Sequence, residues 1–195
     1  MEIYHVLNRG VDKRKIFLEK KDYFRFVHDL YEFNDEEPPP SNFRVFQRRT
    51  LKENATIQNI QKKTKPKTRK FLVTLHAFCI MPNHYHLLIS PRIEWGLTRF
   101  MKKLNMGYAR YFNEKYKRKG ALFEGRFKRI IIKDESHFIH LPYYIHLNPL
   151  DQKFPEWRKK QLKKHRAAAE FLDTYRWSSH LDYKGVKNFP SVTQR

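Results

Sequence analysis

Between Phe71 and Ser90 the chain carries two apolar runs, FLVTLHAFCIM and HYHLLIS, separated only by Pro82 and Asn83. Proline presets φ for the first corner of a type I turn, and asparagine suits the second. Two runs rich in β-branched and aromatic residues, divided by two turn residues, read as neighbouring strands of a hairpin. In each strand alternate side chains share a face, so the pairing register decides which residues meet. A two-stranded hairpin is not stable alone in water, so the flanking chain must supply more strands and a covering layer.

The flanks do supply them. Residues 2–8 read as a strand closed by Arg9-Gly10, and residues 20–33 as a helix with Phe24, Val27, Leu30 and Tyr31 at helical spacing. Residues 94–117 read as a long helix whose apolar face holds Leu97, Phe100, Met101, Leu104, Tyr108, Tyr111 and Phe112. Gly107 inside that helix is unfavourable unless another group packs against it. The run RFKRIII (126–132) reads as a fourth strand, and Asp134 or Ser136 is placed to cap a third helix ending near Leu147. Pro142 inside that helix either kinks it or starts a shorter one. The order strand, helix, strand, strand, helix, strand predicts an α+β protein: a ferredoxin-like β-α-β-β-α-β antiparallel sheet with helices, plus a C-terminal helical extension. Residues 1–150 are expected to form the main domain, with an insertion at about 34–69, and 151–195 a basic extension with a helix at about 156–170. NDEEPPPSN opens the insertion and excludes regular structure there, and QKKTKPKTRK closes it with six basic residues in ten. That basic run is a solvated loop or an arm that follows a phosphate backbone.

Charge narrows the partner. Lys and Arg number 41 against 20 Asp and Glu, a formal net charge of +21, which calls for a polyanion such as nucleic acid. Acidic membrane surfaces are the main rival, but no apolar run approaches the roughly 18 residues of a spanning helix, and the expectation is nucleic acid with no membrane partner. The first residues lack an apolar secretory core, and Cys79 is the only cysteine, so a cytoplasmic protein is the expectation. Cys79 itself reads as a small core residue.

Two constellations bear chemistry. His84 and His86 alternate on one strand and project together, with Tyr85 pointing the other way; two imidazoles roughly 7 Å apart at Cα can close on one metal ion. The same pair also fits ordinary surface or hydrogen-bonded histidines. In PYYIHLNPL, Tyr144 and Asn148 stand four residues apart, on one helix face. A tyrosine hydroxyl, with its pKa of about 10, is a poor nucleophile alone but attacks phosphorus beside a metal-polarised phosphate. Asn148 can add a neutral oxygen ligand. The alternatives are a core aromatic at Tyr144 and a helix-ending Asn148-Pro149. Arg126, Lys128 and Arg129 on the fourth strand and Arg9 at the end of the first are candidate phosphate contacts or plain surface charge.

MPNHYHLLI resembles the HUH motif of the single-tyrosine transposases, two histidines flanking a bulky apolar residue. GALFEGRFKRIIIKDESHF and YYIHLNPL resemble the downstream half of that IS200-like superfamily. NRG near the start and LTRFMKKLNMGYARYFN match as well, and YRWSSHLDYKG is similar to the Tyr-Pro-Trp-Ser-Ser ending of the REP-associated tyrosine transposase branch. The resemblance implies metal ligands at His84, His86 and Asn148 and a nucleophile at Tyr144, not at the adjoining Tyr143. It implies a Mg2+- or Mn2+-dependent transesterification that nicks and rejoins single-stranded or hairpin DNA through a 5′-phosphotyrosine. It leaves monomer and homodimer both open, since classical members of the wider family work as dimers that exchange the tyrosine helix while the REP-associated branch tends to be monomeric. Two other classes compete. A non-catalytic single-stranded nucleic-acid binder needs the basic and aromatic residues but not the set His84, His86, Tyr144 and Asn148. A metal-dependent phosphoesterase would use His-x-His and water, with no covalent protein–DNA species.

Overall fold

The computed structural model describes residues 2–37 and 69–193. Strand β1 (Ile3–Arg9) leads through helix α1 (Lys20–Glu32) to β2 (Val73–Met81). Strand β3 (His84–Pro91) follows at once, then α2 (Gly96–Lys115), β4 (Lys128–Ile132) and α3 (Glu135–Leu147). The sheet order is β2-β3-β1-β4, and every neighbouring pair is antiparallel. This is the expected ferredoxin-like arrangement. The tight turn at Pro82-Asn83 pairs Met81 with His84. It is held from outside: the Pro82 carbonyl accepts from the Ile16 and Phe17 amides, and the Asn83 carbonyl from Gly10.

The sheet separates two apolar clusters. On one face Val6, Phe78, Ile80, Tyr85, Leu87 and Ile89 pack against Phe26 and Leu30 of α1 and Phe100, Leu104 and Tyr108 of α2. Burying each such side chain contributes about 1.5–3 kcal/mol, and this layer is the main core. Gly107 is required where α2 meets Phe33: a Cβ there would lie 2.5 Å from the phenyl ring. The buried face of α1 is not the apolar stripe expected from Phe24, Val27, Leu30 and Tyr31. It includes Asp22, Arg25 and Asp29. Asp22 accepts from the Leu18 and Glu19 amides and from the Tyr111 and Tyr116 hydroxyls, and pairs with Lys115. Arg25 donates to Asp29 one turn away. The bonds of Asp22 tie the start of α1 to the end of α2, and phenols, ammonium and carboxylate satisfy one another.

On the other face Ala77, Cys79, Met81 and Leu88 pack against Leu141 and Ile145 of α3. Asp134 caps α3 by accepting from the His137 amide at 2.7 Å, and the helix runs through Pro142 without restarting. Cys79 is buried and its thiol is pushed above its usual range by that burial. The chain after α3 differs from expectation. There is no helix over 156–170. A 3-10 turn (Pro155–Lys159) ends at Lys160, which takes a left-handed φ of 57°, and α4 (His165–Thr174) starts five residues later. The stretch between them, KQLKK, has only Leu162 to pack against Leu150 and Leu172 and otherwise crowds like charges. Beyond it, Tyr175 donates to the Ile80 carbonyl, Trp177 stacks on Tyr23, and a last short helix α5 (His180–Tyr183) follows. Most of the segment read as an insertion, and all but the end of its basic run, lie outside the described residues.

Candidate active site

Strand alternation puts His84 and His86 on the α3 side of β3, while Tyr85 turns into the main core and donates to Asn105. The two imidazoles lie with ring centroids 4.9 Å apart. Each is held through Nδ1. His84 Nδ1 is 2.6 Å from Asn83 Oδ1, and His86 Nδ1 is 2.9 Å from Nε2 of His5 on β1. The Nε2 atoms therefore carry no hydrogen bond among the described residues. This is how metal-ligating histidines are usually oriented, by an outer partner on the opposite nitrogen. Burial pushes His84 down to about 4; Asp151 opposes the shift, and Arg9 and Arg158 add to it. Burial likewise pushes His5 down to about 4 and His86 well below its usual value. All three are neutral near pH 7, the form in which imidazole can ligate a metal.

Tyr144 approaches from α3. Its ring meets His5 and His86 edge-on at 6.1 and 6.2 Å, and it is 36% exposed. Tyr143 is 66% exposed and has no place in this cluster. Asn148, one turn after Tyr144, is fully buried. Its amide nitrogen donates to the Tyr144 carbonyl at 2.8 Å and to that of Ile145 at 3.3 Å, so Oδ1 is the end turned away from the helix. Among the described residues no three His, Cys, Asp or Glu side chains converge as a metal site. His5 Nε2 is engaged with His86 and is not open to a metal. A divalent cation here would have to draw on His84, His86 and a neutral or substrate oxygen, which fits the neutral donors present. Asn148 Oδ1 is a neutral oxygen of the right type, and it presently accepts from Arg158 Nη2 at 3.0 Å.

Arg158 was not foreseen from sequence. The 3-10 turn (Asn148–Gln152) and the next one fold the chain back so that its guanidinium enters the cleft. Asp151 holds it by accepting from Nε at 2.8 Å and Nη2 at 2.6 Å, and Nη1 donates to the Tyr144 hydroxyl at 3.1 Å. Those bonds keep Arg158 firmly charged. His5 and Asn83 were also missed. A polar residue inside the apolar strand IYHVLNR was the one available signal for His5.

The cleft has a volume of about 300 Å³. Leu7, Asn8, Arg9, His84, His86, Arg126, Lys128, Tyr144 and Arg158 are among the residues that line it. Three of the four expected phosphate contacts are therefore brought together, with Arg9 also paired to Glu124. Arg129 is not one of them. Being next to Lys128 on β4, it faces the other side, with its guanidinium 5.8 Å from the Tyr4 ring. Strand alternation required one of the two to be lost.

The family model described as "Transposase IS200 like" matches residues 43–148, more than half of the chain. The chain belongs to the IS200-like transposase family. The matched span begins within the stretch read as an insertion, and it contains His84, His86, Tyr144 and Asn148 but neither Arg9 nor Arg158. A solved structure, "Structure of the REP associates tyrosine transposase bound to a REP hairpin", is similar in fold: TM-score 0.52 at 12% identity, covering 96% of this chain and 83% of that one. No curated protein matches the sequence. Among the described residues of this family member, no helix is long and apolar enough to cross a membrane.

Proposed function

We propose that the chain is a metal-dependent single-stranded DNA endonuclease and strand transferase of the REP-associated tyrosine branch, acting at DNA hairpins through a 5′-phosphotyrosine at Tyr144. One observation carries the reading: a partly exposed tyrosine shares a cationic cleft with two neutral imidazoles whose Nε2 atoms have no hydrogen-bond partner among the described residues. In the reaction, the Tyr144 Oη–P bond forms and the P–O3′ bond breaks. The electron pair leaves on the 3′ oxygen, which takes up a proton, and the phenol loses one to solvent. The phosphodiester energy is retained, so a 3′-hydroxyl can reverse the step and join strands. His84 and His86, with Asn148, would hold Mn2+ or Mg2+, which when bound supplies charge stabilisation at the phosphate; imidazole ligands favour Mn2+.

The chain's own residues do the rest. His5 and Asn83 fix the two ligand rings, α3 sets the tyrosine against them, and Arg9, Arg126 and Lys128 take the phosphates flanking the cut. One chain supplies every group, so a monomer suffices for cutting. The solved structure of similar fold, bound to a REP hairpin, makes a hairpin the first substrate to try. The test is to incubate the full chain and Mn2+ with a labelled hairpin oligonucleotide bearing single-stranded flanks. The reading expects a covalent species on a denaturing gel that EDTA prevents. Cleavage without any covalent species would indicate water as nucleophile; tight hairpin binding with no cleavage would make the chain a binder.

A further inference from the structure

We propose that Arg158 is a catalytic residue of this reaction, holding the Tyr144 hydroxyl and offering its remaining N–H to the scissile phosphate. The inference rests on the reading that Tyr144 is the nucleophile. A guanidinium has five N–H groups in a fixed fork. Four are placed here: Nε and one Nη2 hydrogen on Asp151, the other Nη2 hydrogen on Asn148 Oδ1, and one Nη1 hydrogen on the Tyr144 hydroxyl. The second Nη1 hydrogen has no partner among the described residues, and Arg158 lines the cleft beside Arg9, Arg126 and Lys128. A plane that already touches the attacking oxygen and keeps one donor open is suited to a phosphate oxygen next to that attacking atom.

The placement is built. Trp157 Nε1 donates to Asp151 Oδ1 at 2.7 Å, and its ring lies 4.8 Å from the guanidinium carbon. The same ring lies 6.2 Å from that of Tyr144. Asp151 is thus fixed before it fixes Arg158, and a carboxylate, an indole and a guanidinium form one brace against the nucleophile. Preorganised donors of this kind stabilise charge as it develops, because they need no rearrangement during the step. Arg158 enters and leaves the step with the same protons; the bonds made and broken are Oη–P and P–O3′.

The experiment measures single-turnover adduct formation at saturating labelled hairpin, with hairpin Kd and thermal unfolding measured separately. R158A should slow adduct formation about 100-fold, the scale for loss of one preorganised donor, with Kd changed less than about threefold. Added methylguanidinium should restore part of the R158A rate. R158K keeps the charge, but an ammonium cannot reach both Asp151 and the hydroxyl, so it should remain at least about tenfold slow. Lys159→Ala removes a neighbouring exposed charge and should keep the rate. If R158A unfolds, R158K decides, and a wild-type rate in it overturns the proposal. R158A adducts formed as fast as or faster than wild type overturn it too, the faster case marking Arg158 as a gate. So does a loss confined to Kd, which marks a DNA tether. If the wild-type chain forms no adduct, the Tyr144 reading itself fails; if it does and R158A matches it, the assignment of Arg158 alone fails.

Discussion

The two faces of the sheet are built from the same strands by opposite rules, and the tripeptide His84-Tyr85-His86 lies across the division. Tyr85 points into an apolar layer closed by α1 and α2, where its ring is fully buried and its hydroxyl is pushed well above the usual range by burial. Its two neighbours point into a cleft closed incompletely by α3 and the turns after it. There the groups are polar, each ligand ring is oriented through Nδ1 by a named partner, and part of the surface stays open. The core face determines whether the sheet exists. The cleft on the other face determines what it can do, and leaves part of its polar lining open to solvent. Substitutions on one face should therefore change stability with little change in rate per folded molecule, and on the other face the reverse.

The largest effect expected is on the cleft face. Tyr144→Phe should abolish the covalent adduct on a denaturing gel while leaving Tm within about 2 °C, since little packing is lost at a half-exposed ring. A large fall in Tm would break the division. Next comes Asp22→Ala on the core face. It strands two phenols and Lys115, and should destabilise by about 3 kcal/mol or more by denaturant melts. Adduct rate per folded molecule should stay within about twofold of wild type. His5→Ala should weaken Mn2+ binding about 10–100-fold by calorimetry, the scale for losing an outer partner of a ligand, and His5→Gln should recover part of it.

Acidification should cost a few degrees. His5 and His84 sit at about 4 in the folded chain, against about 6.5 when unfolded. As pH falls below about 6.5 the unfolded chain takes up protons that the folded one refuses, so stability drops as pH falls towards 4. Calorimetric Tm should fall between pH 7 and 5; a rise would contradict neutral imidazoles in the cleft. Tyr143→Phe should do least, changing adduct rate less than about twofold.

Much of this was legible in the chain. The two-residue turn and the alternating runs reveal the hairpin, and alternation alone places His84 and His86 together. Helical spacing puts Tyr144 and Asn148 on one face, which the Asn148 bond to the Tyr144 carbonyl reproduces. Alternation also implied that Lys128 and Arg129 could not share a face. What escaped depends on contacts between distant positions. His5 and His86 are 81 residues apart, and no periodicity links them. Arg158 reaches the cleft only because two 3-10 turns reverse the chain, in a stretch whose charges resemble a solvated helix. The buried carboxylate of Asp22 escaped for the same reason: it is tolerable inside only because Tyr111, Lys115 and Tyr116 arrive from another helix.

The most direct test of the central claim is to map the covalent linkage. The wild-type adduct formed with Mn2+ and a hairpin oligonucleotide is digested with protease and nuclease, and the modified peptide is sequenced by mass spectrometry. The account predicts a nucleotide on Tyr144 with its 5′ phosphate attached to the phenolic oxygen. A nucleotide on Tyr143, or on any residue outside the cleft, would contradict it.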